Sequence, residues 1–279
     1  MSATDGPDLL DYSRRWPLRL ILAFVGLFLY LPLALLILMS FNDSRQVVVW
    51  RGFTLEWYRK LAGNLELLAA LGNSLTIALL STLLSLLLGT LAAIALWRFR
   101  FPGMGLVAGA FALPIVVPEI CLGVAMFLFF AKVLPWPAAL GWPLNLGPIV
   151  IAHVTFSFPF VAVVVRARLA SFNREMEEAA RDLGAGPWRA LRDVVVPHLK
   201  PSLVAGALLA FTLSLDDFVI TFFTAGPDTV TFPVKVYSMV RFGVTPEVNA
   251  ISSVLLLLTV LLTFLALRVQ AVAGERLAP

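Results

Sequence analysis

The chain has 279 residues, 60% of them hydrophobic and 14% charged, with mean hydropathy +0.92. Soluble domains are roughly 45–50% apolar and about 25% charged, so this composition excludes an ordinary soluble globule and points to a polytopic membrane protein. The net charge of +4 would suit nucleic acid, but the basic residues follow membrane topology instead, and the single cysteine, Cys121, excludes a disulfide framework.

Residues 1–17 are polar and mixed in charge, and are expected to form a cytoplasmic tail. Crossing a hydrocarbon core of about 30 Å takes about 20 apolar residues. Such runs fall at 18–40, 73–97, 104–131, 147–169, 201–224 and 250–271, giving a membrane domain over 18–271 and a tail at 272–279. Several runs are apolar on every face and none alternates as a barrel strand would, so the expected fold class is an all-α membrane protein of six transmembrane helices. The first run is too long for a signal-peptide core and lacks a small-residue cleavage site, so it is expected to be retained.

With the N-terminus inside, fourteen of the 21 Lys and Arg residues fall in inner segments, among them Arg98, Arg100, Arg166, Arg168, Arg181 and Lys200. The outer segments hold seven, although they are longer. This bias predicts both termini in the cytoplasm.

Between the first two spans, residues 54–71 place Trp57, Leu61, Leu65 and Leu68 at helical spacing, the pattern of an amphipathic helix at the interface or packed on the bundle. Trp50 lies just outside the first span, where its ring could attract an ammonium group or anchor at the headgroups. Pro114 and Pro118 interrupt the third span and predict a kink. The outer loop 132–146 carries Pro135, Trp136, Pro137, Trp142 and Pro143, suited to headgroup depth. Pro233 opens an expected short outer helix, with Gly243 ending it and Pro246 stopping any continuation.

The cytoplasmic loop, about 171–200, is the most specific segment. Asn173 is placed to cap a helix whose first turn carries Glu175 and Glu177. Glu178, Ala179, Ala180 and Asp182 follow, and Gly184 supplies a left-handed terminus. Pro187 is expected to start a second short helix that Pro197 ends before the fifth span. The pattern Glu178-Ala-Ala, three residues, Gly184, nine residues, Val194-Val-Val-Pro197 resembles the signature loop of permease subunits of ABC importers. Ser40-Phe-Asn-Asp-Ser44, Phe211-Thr-Leu-Ser-Leu-Asp-Asp217 and Gly243-Val-Thr-Pro-Glu-Val-Asn-Ala250 resemble the polyamine (putrescine/spermidine) branch of that family. The likeness runs from about residue 20 to about 270. Glu119 departs from it, since the corresponding residue is more often Asp.

The resemblance implies a type I importer fold in a bacterial inner membrane, with Glu178, Ala179, Ala180, Asp182 and Gly184 forming the coupling helix that docks into an ATPase. It further implies a homologous permease subunit, two ATPase subunits carrying ATP and magnesium, and a periplasmic substrate-binding protein. The chain itself has no Gly-x-x-x-x-Gly-Lys-Ser/Thr phosphate loop.

Three acids fall inside the apolar runs: Glu119, Asp216 and Asp217. An ionisable group at the bilayer centre costs about 2.5–3.5 kcal/mol on insertion scales, so each is a functional candidate. Counted along unbroken helices they lie about 22–24 Å from the cytoplasmic ends. No Lys or Arg of the spans lies at that level, so their partners are water, His153, a neighbouring subunit or a cationic cargo. With Trp50, these acids are the expected substrate pathway; the alternative is a hydrogen-bond network with the partner permease. Other readings are an importer for a different cationic amine or amino-acid derivative, and a cation-coupled secondary transporter. The latter would work alone and would not need the Glu-Ala-Ala loop. No nucleophile–base pair or metal-ligand set supports an enzyme.

Overall fold

A computed structural model describes residues 16–44, 49–133, 145–226, 229–241 and 246–275, with backbone alone at 262 and 265–275. The described residues are helical almost throughout and form two compact units. One lies within Met1–Leu61 and Gly243–Leu255, the other within Ala62–Phe242 and Leu256–Pro279.

In the first unit, α1 (Trp16–Met39) is apolar on all sides and buries none of its side chains, as expected of a helix that faces lipid or another subunit. The Ser40–Ser44 stretch after it folds into a tight turn around Asn42. The Asn42 side-chain amide donates to the Val49 carbonyl, its Oδ1 accepts the Arg51 amide, and its backbone carbonyl accepts the Trp57 indole N–H. The Phe41 ring stacks on Phe53 and tilts against Tyr58, whose hydroxyl is 2.6 Å from Ser40 Oγ. The described residues of the loop are therefore held together as a platform.

The amphipathic segment expected over 54–71 is split. α2 spans Glu56–Gly63, and Asn64 then caps α3 (Leu65–Arg98) by accepting the Leu67 amide on Oδ1. α3 thus starts eight residues before the apolar run read from sequence, at the Asn64 cap.

The second unit is built on three long helices, α3, α6 (Leu146–Ala170) and α9 (Val196–Leu215), which pack on one another. Ala93, Val161, Val165, Leu169, Leu199 and Ala210 are buried together between them. Glycine permits the approach: a Cβ on Gly89 would meet the Phe158 carbonyl at 2.7 Å and Val161 Cβ at 2.8 Å, and one on Gly206 would meet Val161 Cγ1 at 3.2 Å. Small residues at helix crossings are how membrane helices gain contact where lipid is as apolar as leucine.

Two of the expected spans are not continuous. The third is α4 (Met104–Val116) followed, after a bend of 106°, by α5 (Glu119–Leu128) and a π-helical turn at Phe129–Val133. Pro118 withholds a donor and pushes Val117 into an extended conformation, so the kink becomes a full break. The fifth span stops at Leu215 and restarts as α10 (Val219–Thr224). Depth counted along straight helices therefore holds only as far as these breaks.

Between α6 and α9, α7 (Arg174–Asp182) precedes α8 (Pro187–Ala190). Pro197 does not end the second helix, contrary to expectation. α8, a π-turn at Leu191–Val195 and α9 form one helix, Pro187–Leu215. The wide turn, closed by the Val196 amide on the Leu191 carbonyl, makes room for a proline that would clash in tight α geometry. α11 (Phe232–Val240) carries Pro233 in its first turn as expected, and its N-terminus is tied to α3 by the Phe232 amide on Ser74 Oγ. Gly243 lies outside the described residues, as does most of the loop 132–146. Pro246 opens α12 (Pro246–Glu275) rather than only blocking continuation, a position where its missing N–H costs nothing.

Among the described residues four helices are long and apolar enough to cross a membrane, and the bent pair makes a fifth. The sixth expected crossing falls on α12.

The Gly89 contact makes a direct test. Gly89→Val should destabilise the helix trio by about 1–3 kcal/mol, as overpacking does, and lower the thermal unfolding midpoint of the purified complex. Gly72→Val, where nothing lies within 4 Å, should leave that midpoint nearly unchanged.

Candidate functional site

Two places in the second unit gather chemistry. The first is the knob formed by α7 and α8. Asn173 Oδ1 accepts the Glu175 amide and so starts α7 as the sequence predicts. Gly184 has φ +87, the left-handed conformation that reverses the chain toward α8.

Glu177 is the anchor of α7. It is buried, and its Oε1 accepts from Arg98 at 2.8 Å and from Arg181 at 2.7 Å. Arg98 is the last residue of α3, so the pair fastens the knob to a membrane helix. Arg174 adds to the joint by lying over the Trp97 ring at 4.8 Å and donating to the Trp97 carbonyl. Trp97 packs edge-on against Phe172, which packs against His198 at the foot of α9. Partly desolvated ion pairs of this kind fix orientation, because removing one partner strands the other.

The opposite face of the knob is open. Glu178, Ala179, Asp182 and Gly184 are exposed and Ala180 is half-buried. Beside them Leu183 is 89% exposed and Trp188 74%, with Met176 also outside. These three apolar residues and the anchor Glu177 belong to the site although the motif alone does not single them out. Large apolar side chains in an otherwise charged loop were the available signal.

The second place is the pair of helix breaks. α5 and α10 pack side by side, with a Cβ on Gly123 falling 3.4 Å from Ile220 Cα and 2.9 Å from the Phe223 ring. Glu119 opens α5 one turn before Gly123, and Asp216 and Asp217 stand one turn before Ile220. The three acids are therefore brought to the same pair of packed helices.

Their surroundings differ. Asp217 is buried: Oδ1 accepts the Ile220 amide at 3.2 Å, and Oδ2 accepts the Thr221 amide and hydroxyl, each at 2.8 Å. It caps α10. Asp216 and Glu119 are exposed, and the ion pairs among the described residues include neither. Beyond the break, the Phe218 ring lies 4.6 Å from Tyr237 and 5.5 Å from Phe222, so an aromatic cluster adjoins the acids. Trp50 lies in the first unit and is 44% exposed. The described residues contain no group of three or more His, Cys, Asp or Glu able to hold a metal.

An exposed, anchored Glu-Ala-Ala elbow and acids at two helix breaks can be set beside known proteins. The family profile described as "binding-protein-dependent transport system inner membrane component" matches residues 85–279. The chain belongs to this family. Among its relatives, the putrescine transport system permease protein PotI of Escherichia coli (strain K12) is 41% identical over 266 residues, 94% of each chain. The spermidine/putrescine transport system permease protein PotC of the same strain is 41% identical over 235 residues, covering 84% of this chain and 86% of PotC. In fold, the chain is similar to a bacterial ABC transporter involved in import of the acidic polysaccharide alginate. The TM-score is 0.72 at 18% identity, covering 94% of this chain and 99% of that one. It is also similar to the MetNI methionine ABC transporter in an inward-facing conformation, with TM-score 0.61, 21% identity, and 74% and 95% coverage. The fold is thus that of an ABC importer permease, as the family members' signature loop implies.

The anchor predicts a local effect. Glu177→Ala should speed amide exchange across 174–182 by about tenfold or more, the scale of a lost buried ion pair. Arg192→Ala, which removes an exposed pair with Asp193, should not change it.

Proposed function

We propose that this chain is one transmembrane subunit of an ATP-driven importer that carries small polyamines, putrescine or spermidine, from periplasm to cytoplasm by alternating access. The observation that carries the cargo class is the convergence of Glu119, Asp216 and Asp217 at two helix breaks, with Asp216 and Glu119 outside the ion pairs among the described residues. Identity of 41% to PotI and PotC supports it. An alkylammonium ion would meet carboxylates in a low-dielectric setting, and the faces of Phe218, Phe222 and Tyr237 add attraction of about 0.5–2 kcal/mol for each well-placed ring. Trp50 on the outer platform is a further cation contact in this reading.

The knob supplies the drive. Leu183, Met176 and Trp188 would enter an apolar groove of an ATPase subunit while Glu178 and Asp182 pair at its rim. Because Glu177 ties α7 to α3, and α8 runs unbroken into α9, closure of two ATPase subunits on ATP and magnesium would turn both membrane helices together. A homologous permease subunit would complete the pathway, and a periplasmic binding protein would deliver cargo to the outer platform. Both termini of the chain are cytoplasmic in this arrangement, in keeping with the excess of Arg and Lys in the inner segments.

Two measurements on the reconstituted complex test the halves separately. Leu183→Glu should lower transport-coupled ATP hydrolysis about tenfold or more, since one buried apolar side chain contributes about 1.5–3 kcal/mol; wild-type coupling would remove α7 from the docking role. Asp216→Asn should lower putrescine uptake about tenfold while co-purification with the other subunits stays intact. Unchanged uptake would exclude the acids from the pathway.

A further inference from the structure

One buried imidazole touches both sides of the break in the fifth span, and neither docking nor cargo contact uses it. His153 on α6 is 2% exposed. Its Nδ1 lies 2.7 Å from Ser214 Oγ, near the end of α9. Its Nε2 lies 2.9 Å from Thr221 Oγ1 on α10 and 3.3 Å from Asp217 Oδ2 within the break. Ser81 of α3 donates to Ser214 Oγ at 2.9 Å.

With the ring proton on Nε2, the whole set is satisfied in one direction. Ser81 donates to Ser214, Ser214 to His153 Nδ1, His153 Nε2 to Thr221 Oγ1, and Thr221 to Asp217 Oδ2. The chain ends on the carboxylate that also accepts the Ile220 and Thr221 amides. Four helices are joined by it. Directional chains of this kind gain strength in a low-dielectric interior, and each link is costly to leave unmade. A packing role alone would not need both ring nitrogens matched to opposite sides of a discontinuity.

We propose that His153 is a positioning residue for the cation path: it holds Asp217 as the cap of α10 and so leaves Asp216 as the carboxylate of the pair presented to cargo. The inference rests on the pathway reading above and assigns different tasks to two adjacent acids. Asp217 completes the helix break, and Asp216 meets the cation. Thr221 is the bridge between Asp217 and the ring.

The test uses the complete importer in proteoliposomes, with labelled putrescine delivered by the binding protein. His153→Ala and Thr221→Val should each lower the maximal uptake rate about tenfold, the order of a lost hydrogen bond in a buried charged network. The half-saturating concentration of loaded binding protein should stay within about twofold, since docking occurs elsewhere. The double variant should be no slower than His153→Ala alone, because both break one network. His153→Gln, which keeps a donor near Thr221, should recover part of the rate. Wild-type rates in Thr221→Val, or fully additive losses in the double variant, would overturn the proposal. If His153→Ala fails to assemble, Thr221→Val, which keeps shape and loses only the hydroxyl, decides between the outcomes. Asp216→Asn run in parallel separates the two ideas. Normal uptake there sinks the pathway reading, whereas impaired uptake there with a wild-type Thr221→Val sinks the positioning role alone.

Discussion

The carboxylate of Asp217 accepts two backbone amides and a hydroxyl that the break in the fifth span would otherwise leave unpaired. Inside hydrocarbon a freed peptide group costs several kcal/mol, so a helix is interrupted only where the protein supplies replacement partners. This constraint organises the second unit. The first break answers it with Pro118, which brings no donor of its own and whose carbonyl accepts the Cys121 and Leu122 amides. The second answers it with an acid. Once both breaks are satisfied from within, two further carboxylates, Glu119 and Asp216, remain beside them without such duties. The polar character of the site follows from how the breaks are closed.

The knob obeys a different rule. It projects into water, where a nine-residue helix is marginal by itself, and its stiffness comes from one face. Glu177, Arg98, Arg174, Trp97 and Phe172 seal that face against the ends of α3 and α6. The remaining face stays free, with narrow alanines and three large apolar side chains. Anchored on one side, α7 is held in place while Met176, Leu183 and Trp188 stay exposed on the other.

How much of this is legible in the sequence depends on the kind of signal. The Asn173 cap, the Gly184 reversal and the Pro187 start are local choices that residue type dictates, and each has its expected geometry. The helix breaks are only half visible. Hydropathy runs straight through 104–131 and 201–224, so it cannot distinguish a crossing from a helix that stops and restarts. Pro118 announces a kink but not its 106° extent. Helical spacing of about 100° lets only one of Asp216 and Asp217 face the pathway squarely but does not say which; the partners of Asp217 from α10 and α6 separate them. Pro197 misleads for the same reason in reverse, since a π-turn upstream relieves the clash that would end a helix. Glu177 looks like an ordinary first-turn acid until Arg98, 79 positions away in sequence, is brought to it.

That relieved proline has a mechanical meaning. Because the π-turn keeps Pro187–Leu215 a single helix, its 29 residues make a rod of about 42 Å. The foot carries Trp188 and the tip ends at Asp216. A tilt of about 5° at the foot would sweep the tip through roughly 4 Å, close to the width of an ammonium group, from the same rise per residue. A second helix stopping at Pro197 would have left a hinge there and lost that leverage.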